Sequence, residues 1–429
     1  MFGSPMTSNR TTNGSISTNK QNLSWWPQIV SFFTSSKMPD IRRWTVTEPY
    51  LNIHCGLGEA PYYEAERNTL RFVDIKNKRL HSVDLNVGPE SLKTLELDMS
   101  VGVTADIEGV DSSKKILVGA KNGVYILDRE TGGFGLLKKY YDDEEKDERL
   151  RSNDGAVDTD GRFWVTTMND FWVGEPQAEG TLFRIGNDLT RTTMRTSLTI
   201  PNGVGWSRDK KTQYFTHSTE KRIIAFDYDA ATGDLSNERT FWEHDGDGDP
   251  DGFKMDEEGN IWQAIYGESR VLKISPGGNI IGEIKYPTRC ITCPCFVGTE
   301  LWVTSADEED ETNVESKKYG GGVFKVDVGV RGLQDYKFKA VITQFIEKGQ
   351  TLDFQRLAQD AGLLNLRAAQ YRWQKLKGEL GVGKDKVAGG SEIDGKDKKE
   401  GDVSGKKAGG GGKKTGGKKR KMEEVDDDE

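Results

Sequence analysis

The chain has 429 residues, enough for one large domain with additional segments or for two to three ordinary domains. Its formal net charge of −9 excludes a protein that binds nucleic acid over its whole surface. The charge is uneven, because residues 341–429 hold 19 Lys and Arg against 16 Asp and Glu, which leaves −12 on the first 340 residues. An acidic body favours cation binding over phosphate binding. No apolar run is long enough to span a bilayer, so no membrane partner is expected.

The N-terminal segment has a composition that leaves two interpretations open. Residues 1–39 contain many Ser, Thr and Asn but no Asp or Glu. Abundant Ser without acidic residues is typical of organelle transit peptides. The same composition is typical of a disordered extension, which cannot bury enough apolar surface to fold. We therefore expect residues 1–40 to be a disordered or targeting extension.

The next 300 residues contain a repeated strand pattern. Six short runs rich in aromatic and β-branched residues begin 40 to 50 residues apart, at Leu70, Ile116, Phe163, Gln213, Ile261 and Leu301. Each run is followed by a second one, and several follow a turn rich in acids and Gly. A unit of this length with several short strands is typical of a propeller blade, whereas a β-sandwich would not give so regular a period. The predicted fold class is all-β, with a six-bladed β-propeller over residues 41–339.

Polar residues recur just ahead of the repeated run. Radial repetition brings the equivalent position of every blade to one central channel. Five of the six units carry an oxygen-bearing side chain there, usually followed by Gly, namely Glu59, Glu108, Asn153 with Asp154, Asn202 and Asp251. The last unit carries Cys293-Pro294-Cys295 instead. Because hard divalent cations take carboxylate and amide oxygens, Glu59, Asn202 and Asp251 predict a three-residue metal site. Taken singly, each Asn-Gly or Asp-Gly is also an ordinary turn dipeptide.

The motifs at these positions resemble those of the gluconolactonase family, which includes regucalcin (senescence marker protein). The resemblance covers about residues 49–339 and is carried by Leu57-Gly58-Glu59-Ala60-Pro61, Arg151-Ser152-Asn153-Asp154-Gly155, Gly161-Arg162-Phe163-Trp164, Pro201-Asn202-Gly203-Val204-Gly205-Trp206 and Pro250-Asp251-Gly252. Singly each motif has little specificity, but together they are highly specific.

The resemblance implies a metal-dependent hydrolase of a sugar-type lactone. It implies one divalent cation (Ca²⁺, Zn²⁺, Mg²⁺ or Mn²⁺) bound by Glu59, Asn202 and Asp251, with Asp251 as general base for water. Further positions that match substrate contacts of the family are Arg151, Asn153 and, as the nearest counterpart of a further acid, Glu175. The alternatives are a non-catalytic calcium-binding scaffold and a chromatin-associated protein. A base and a substrate-binding arginine favour the enzyme, because a scaffold needs neither.

Two features depart from this pattern. His217 in Tyr214-Phe215-Thr216-His217-Ser218 stands where the family usually has Asp. It could be a metal ligand or proton shuttle, but a hydrogen-bonded strand histidine is favoured. Cys290, Cys293 and Cys295 suggest a zinc site, for which Cys55 is the one remaining thiol. Since tetrahedral zinc needs four clearly spaced ligands, we expect buried strand thiols instead.

The C-terminal part changes its pattern after residue 339. Residues 340–381 predict short helices with Asp353 and Asn365 as caps, a helix-turn-helix arrangement. Leu352-Asp353-Phe354-Gln355 and Tyr371-Arg372-Trp373 resemble fungal Myb-like DNA-binding proteins, which implies DNA as a partner besides the lactone. Residues 382–429 predict a disordered tail, basic over 404–421 and then acidic. We expect a cytoplasmic protein. The basic run indicates either additional import into the nucleus or, equally, a solvated low-complexity tail.

Overall fold

The computed structural model of the protein describes residues 41–339. The predicted extension 1–40, the Myb-like helical segment 340–381 with its predicted DNA contacts, and the tail 382–429 lie outside the described residues. Strand β1 (Arg42–Thr45) opens the described part. Two short α-helices also occur in it, α1 (Glu144–Arg149) and α2 (Val314–Tyr319). Between residues 41 and 339, no helix has the length and apolar character that crossing a bilayer requires.

Blades one to three are four-stranded antiparallel sheets whose strands follow chain order. Blade one contains β2 (Gly58–Glu64), β3 (Thr69–Asp74), β4 (Arg79–Asp84) and β5 (Lys93–Glu96). Blade two contains β6 (Val101–Ala105), β7 (Lys115–Ala120), β8 (Gly123–Asp128) and β9 (Phe134–Lys139). Blade three contains β10 (Leu150–Val157), β11 (Phe163–Asn169), β12 (Gly180–Ile185) and β13 (Arg191–Leu198).

Blades four to six continue this order. Blade four contains β14 (Pro201–Trp206), β15 (Thr212–His217), β16 (Arg222–Tyr228) and β17 (Leu235–Glu243). Blade five contains β18 (Asp249–Met255), β19 (Ile261–Tyr266), β20 (Arg270–Ile274) and β21 (Ile280–Lys285). Blade six contains β22 (Ile291–Val297), β23 (Glu300–Ser305) and β24 (Phe324–Asp327). The predicted six-bladed β-propeller is therefore confirmed, and the six repeated runs are the second strands of the blades.

The second strands are buried because they lie between the innermost strand and the third strand of each sheet. Their tryptophans, Trp164, Trp262 and Trp302, are among the largest buried side chains. Trp164 Nε1 donates to Asp158 Oδ2 (2.9 Å), and Trp262 Nε1 donates to Asp256 Oδ2 (2.9 Å). The acid-rich turns of the sequence repeat thus supply the acceptor that a buried indole N–H needs.

The ring closes through the N-terminal part of the described chain. Strand β1 pairs in parallel with β21 at the outer edge of blade five. The chain then passes blade six, where Leu51 forms an antiparallel bridge with Val323 and Leu57 one with Ala306, before it enters β2. Each innermost strand contacts the next, and β22 contacts β2. The innermost strands therefore surround one central channel.

Candidate functional site

Every innermost strand has an irregularity at the same height of the channel. The pairing with the second strand shifts by one residue after Glu59, Val101, Ser152, Pro201, Pro250 and Ile291. A bulge leaves the extra residue unpaired and redirects its side chain. The residues at or next to these bulges are Glu59, Gly102, Asn153 with Asp154, Asn202, Asp251 and Cys293. We call them the ring residues.

Blade two corrects one expectation from the sequence. Glu108 lies in the turn after β6, is exposed, and is held there by the bond from its N–H to the Phe338 carbonyl (2.9 Å). The ring position of blade two is Gly102 instead. A Cβ atom on Gly102 would lie 2.6 Å from the Asn153 carbonyl oxygen, so this blade contributes backbone alone. The prediction that Glu108 belongs to the ring was wrong.

Three carboxylates of the ring are buried together. Glu59, Asp154 and Asp251 are between 5% and 8% exposed. Burial, followed by repulsion from Asp251 and Asp154, raises the pKa of Glu59 well above its ordinary value. The pKa of Asp251 is likewise raised by burial and by Asp154, while burial raises the pKa of Asp154 to about 6. Carboxylates arranged in this way favour either protons or a bound cation.

The amide side chains of the ring are fixed by a chain of hydrogen bonds. Asn153 Nδ2 donates to Asn202 Oδ1 (3.0 Å) and to the Pro201 carbonyl (2.9 Å). Asn202 Nδ2 in turn donates to Ser218 Oγ (2.8 Å), whose hydroxyl donates to the Pro250 carbonyl (2.6 Å). This chain sets the orientation of both amides, so that the carbonyl oxygen of Asn202 is held as an acceptor. Ser218 was not among the predicted site residues, although it follows His217 in the quoted motif.

Arg151 is a buried cation beside the ring. Its Nη1 donates to Asn153 Oδ1 (3.0 Å) and to the Ser152 carbonyl (2.8 Å). Its Nε has no hydrogen-bond partner within the described residues, although the side chain is buried. Burial lowers the pKa of Arg151 to about 10, opposed by Asp170 and Glu59. A buried guanidinium with an unused donor is suited to an acceptor group of a ligand.

The loop between β11 and β12 contributes an aromatic side chain that the sequence had not indicated. The guanidinium carbon of Arg151 lies 4.3 Å from the ring centroid of Phe171. Phe171 is 42% exposed, and the neighbouring Trp172 is 60% exposed. Glu175 in the same loop has an exposed side chain, and its carbonyl accepts from Gln177. The structure therefore brings Phe171 to Arg151, and it leaves the Glu175 carboxylate on the surface.

The polar contacts given for His217 are with residues outside the ring. Its Nε2 accepts from the Thr199 N–H (3.2 Å), and its Nδ1 lies 3.0 Å from Glu220 Oε1 without hydrogen-bond geometry. Burial lowers its pKa, opposed by Glu220. The favoured interpretation of a strand histidine fits these contacts. The four cysteines are all free and buried, and Cys293 and Cys295 lie in strand β22 as expected, while Cys290 directly precedes that strand.

Together the ring residues form an oxygen-rich site with one thiol. The predicted ligands Glu59, Asn202 and Asp251 come from blades one, four and five, and Arg151 and Asn153 come from blade three. Asp154 joins them from blade three, and Cys293 from blade six. Such a donor set can bind a hard or borderline divalent cation, and the buried acids can accept a proton from water.

Comparisons with known proteins point to one family. Residues 57–307 match the family model described as SMP-30/Gluconolactonase/LRE-like region, a range that includes every ring residue. The pentonolactonase of Haloferax volcanii is 30% identical over 311 residues, covering 68% of this chain and 98% of that protein. Regucalcin of Xenopus laevis is 34% identical over 293 residues, covering 66% and 94%. The crystal structure of a calcium-binding protein, regucalcin, from Agrobacterium tumefaciens aligns with a TM-score of 0.63 at 26% identity, over 69% of this chain and 99% of that one.

Proposed function

Because the chain belongs to the SMP-30/gluconolactonase/LRE-like family, we propose that it hydrolyses a sugar-type lactone at the ring residues. The observation that carries this proposal is the buried group of Glu59, Asp154 and Asp251 beside an arginine with an unused donor. A relative of this chain is named a pentonolactonase, which supports a lactone of sugar size.

We assign Glu59, Asn202 and Asp251 to the binding of one divalent cation (Ca²⁺, Zn²⁺, Mg²⁺ or Mn²⁺). These residues fit a cation, because burial and mutual repulsion raise the pKa values of Glu59 and Asp251 and a positive charge would relieve that repulsion. The hydrogen-bond chain through Ser218 holds the Asn202 amide in place for coordination. When bound, such a cation supplies Lewis acidity toward the lactone carbonyl.

The remaining steps fall to side chains of this protein. Asp251 accepts a proton from water as the water oxygen forms its bond to the carbonyl carbon. The bond between that carbon and the ring oxygen then breaks, and the ring oxygen takes the proton from Asp251. The product is a hydroxy acid. No other reactant is needed, because a lactone is already a reactive ester.

The substrate would be oriented by Arg151 and Asn153. The free Nε–H of Arg151 can donate to a hydroxyl or carbonyl oxygen of the lactone, and the partly exposed Phe171 ring lies against the guanidinium. The contact of Glu175 with substrate stays a prediction. A calcium-binding scaffold would need neither a buried base nor an unused arginine donor, so hydrolysis is the function we favour.

The test is hydrolysis of a panel of sugar and aliphatic lactones by chelator-treated protein, with Ca²⁺, Mg²⁺, Mn²⁺ or Zn²⁺ added back. We expect metal-dependent turnover that falls about 10²- to 10⁴-fold in Asp251→Asn, which keeps the shape and removes the base. Asp245→Asn, an exposed acid in the loop before β18, is the matched control and should keep full activity. Folded protein without turnover on any lactone with any metal would overturn the proposal.

A further inference from the structure

A second group of metal-ligating side chains lies on blade one, and it contains none of the ring residues. Cys55, Asp74 and His81 each offer one ligand atom, and these atoms all lie within 4.8 Å of one another. The three residues are between 1% and 5% exposed. Cys55 belongs to the segment that enters blade one, Asp74 ends β3, and His81 lies in β4. We call this group the blade-one cluster.

The histidine of the blade-one cluster has one nitrogen in use and one without a partner. Its Nδ1 lies 3.0 Å from Thr94 Oγ1, and its ring stacks on Phe72 with centroids 5.0 Å apart. Its Nε2 is buried and has no hydrogen-bond partner within residues 41–339. Since β3 and β4 pair Phe72 with His81, and Asp74 is two residues from Phe72, His81 and Asp74 share one face of the sheet. Metal-bound histidines typically have this arrangement, with one nitrogen hydrogen-bonded and the other coordinating.

The carboxylate of Asp74 is held rigidly in the cluster. Its Oδ2 accepts from the Gly56 N–H (2.9 Å), and its Oδ1 accepts from the Leu57 N–H (3.1 Å). Both oxygens also accept from Asn77, through its side-chain amide (2.8 Å) and its backbone N–H (3.1 Å). These donors fix the carboxylate against the incoming segment, as outer-shell donors do for the carboxylates of metal sites.

Cys55 is placed by contacts with blade six. Its N–H donates to the Gly321 carbonyl (3.0 Å). Gly321 has a φ of +70°, and a Cβ atom there would lie 2.2 Å from the Cys55 nitrogen, so the approach needs glycine. Burial, followed by repulsion from Asp74, raises the pKa of the Cys55 thiol. Coordination by this thiol would therefore release a proton to solvent.

We propose that Cys55, Asp74 and His81 bind a second divalent cation, of the zinc class. Thiolate, imidazole and carboxylate together are ligands for Zn²⁺ or Co²⁺, whereas Ca²⁺ and Mg²⁺ take oxygen ligands almost alone. Water would complete a four-coordinate site. Because Cys55 lies between the Leu51 and Leu57 bridges to blade six, the cation would fasten the closing segment of the ring to blade one. Its role would be structural, and it goes beyond the hydrolysis proposed above.

The test is titration of the chelator-treated full-length protein with Co²⁺, followed by the thiolate-to-cobalt charge-transfer absorption in the near ultraviolet. We expect one equivalent to give this band in the wild type and in Asp251→Asn. Cys55→Ser should lose the band, and His81→Gln should weaken Co²⁺ binding by about 10-fold or more. The matched controls are Cys295→Ser, a buried thiol of strand β22, and Cys293→Ser, the thiol of the ring, and both should keep the band.

A second measurement is the melting temperature with and without Zn²⁺. A cation that binds only the folded chain at about 100 times its Kd should raise the melting temperature by about 5 °C. The rise should persist in Asp251→Asn, whose ring lacks one ligand carboxylate, and should be lost when His81→Gln is added to Asp251→Asn, which also covers the case that Cys55→Ser does not fold. A missing band in the wild type, or a band that Cys293→Ser removes and Cys55→Ser keeps, would overturn the inference. Neither readout uses lactone hydrolysis, so these results leave the proposed function standing or falling on its own test.

Discussion

The two ends of strand β2 each carry a buried glutamate, and the two glutamates have opposite surroundings. At one end, Glu59 accepts a hydrogen bond from the N–H of Ala60 (2.8 Å). Among residues 41–339, no Lys or Arg lies within ion-pair distance of its carboxylate. At the other end, Glu64 forms ion pairs with three arginines, Arg67, Arg71 and Arg129. Both side chains are nearly inaccessible, at 5% and 3% exposure.

This contrast separates a structural use of buried charge from a functional one. Around Glu64 the charges are balanced, since Arg71 also pairs with Asp106 (2.6 Å) and lies over the Tyr62 ring at 3.8 Å. Buried charges are tolerated when each has its partner. Around Glu59 the chain supplies two further buried acids, Asp154 and Asp251, and only the buried Arg151 opposes them, so a bound cation would improve the balance of charge. With the function proposed above, the same strand contributes to the stability of the fold at one end and to a ligand site at the other.

The largest expected effect on stability is at the balanced end. Arg71→Met should lower the free energy of unfolding by about 3–5 kcal/mol, because it leaves Asp106 and Glu64 buried without their shared partner. Urea unfolding at neutral pH measures this. Arg79→Met is the control, since its ion pair with Glu96 is exposed and should contribute less than about 1 kcal/mol. Equal losses in the two variants would contradict the contrast between the ends.

At the Glu59 end, replacing a buried acid of the ring should raise the free energy of unfolding instead of lowering it. Burial raises the pKa of Asp154 to about 6, from 3.8. A pKa that is raised on folding gives a stabilising contribution at low pH, which is lost as the pH rises from about 4 through 6. Chelator-treated Asp154→Asn should therefore be more stable than the wild type by about 3 kcal/mol at pH 7 and equal to it near pH 4.

Chemical unfolding across this pH range, with chelator present, measures the effect. Asp98→Asn, at an exposed position of blade one, is the matched control and should show no such pH dependence. Added divalent cation should remove the advantage of Asp154→Asn, because the cation neutralises the charge that the substitution deletes. A variant less stable than the wild type at pH 7 without metal would show that the ring acids are already balanced.

The sequence predicted the strands well because each blade repeats one physical solution. The second strands are rich in apolar residues, three of them carry a buried tryptophan, and Trp164 and Trp262 need the acidic turns that supply their acceptors. The position of blade two was missed because Gly102 has no side chain, so the pattern of an acid followed by Gly selected Glu108-Gly109 instead. The repeat predicts the length of each blade. Which residue of the innermost strand joins the ring depends on a bulge that shifts the strand register by one residue.

The contacts between distant segments were beyond the sequence. Asp154 stood in a quoted motif, yet nothing in the motif showed that both Asn153 and Asp154 lie at the bulge. Phe171 reaches Arg151 only through the path of the loop between β11 and β12. The blade-one cluster joins Cys55, Asp74 and His81 without any regular spacing, because three separate segments supply its members.

The smallest expected effect is at a third carboxylate, Glu268, which resembles Glu64 because it has cationic partners, Arg270 and His244. Burial raises its pKa, but the Gly248 N–H (2.9 Å), Arg270 and His244 outweigh burial and lower the pKa to about 2. A lowered pKa gives stability that is present above about pH 4.5 and lost as the pH falls towards 2.

Glu268→Gln should lower the free energy of unfolding by about 1–2 kcal/mol at neutral pH, and the difference from the wild type should shrink in urea unfolding as the pH falls below 4.5. Glu243→Gln, on the exposed edge of blade four, should be neutral throughout. If the stability advantage of the wild type over Glu268→Gln instead grew as the pH fell, Glu268 would belong with the ring acids, because only a raised pKa makes a carboxyl group more stabilising at low pH.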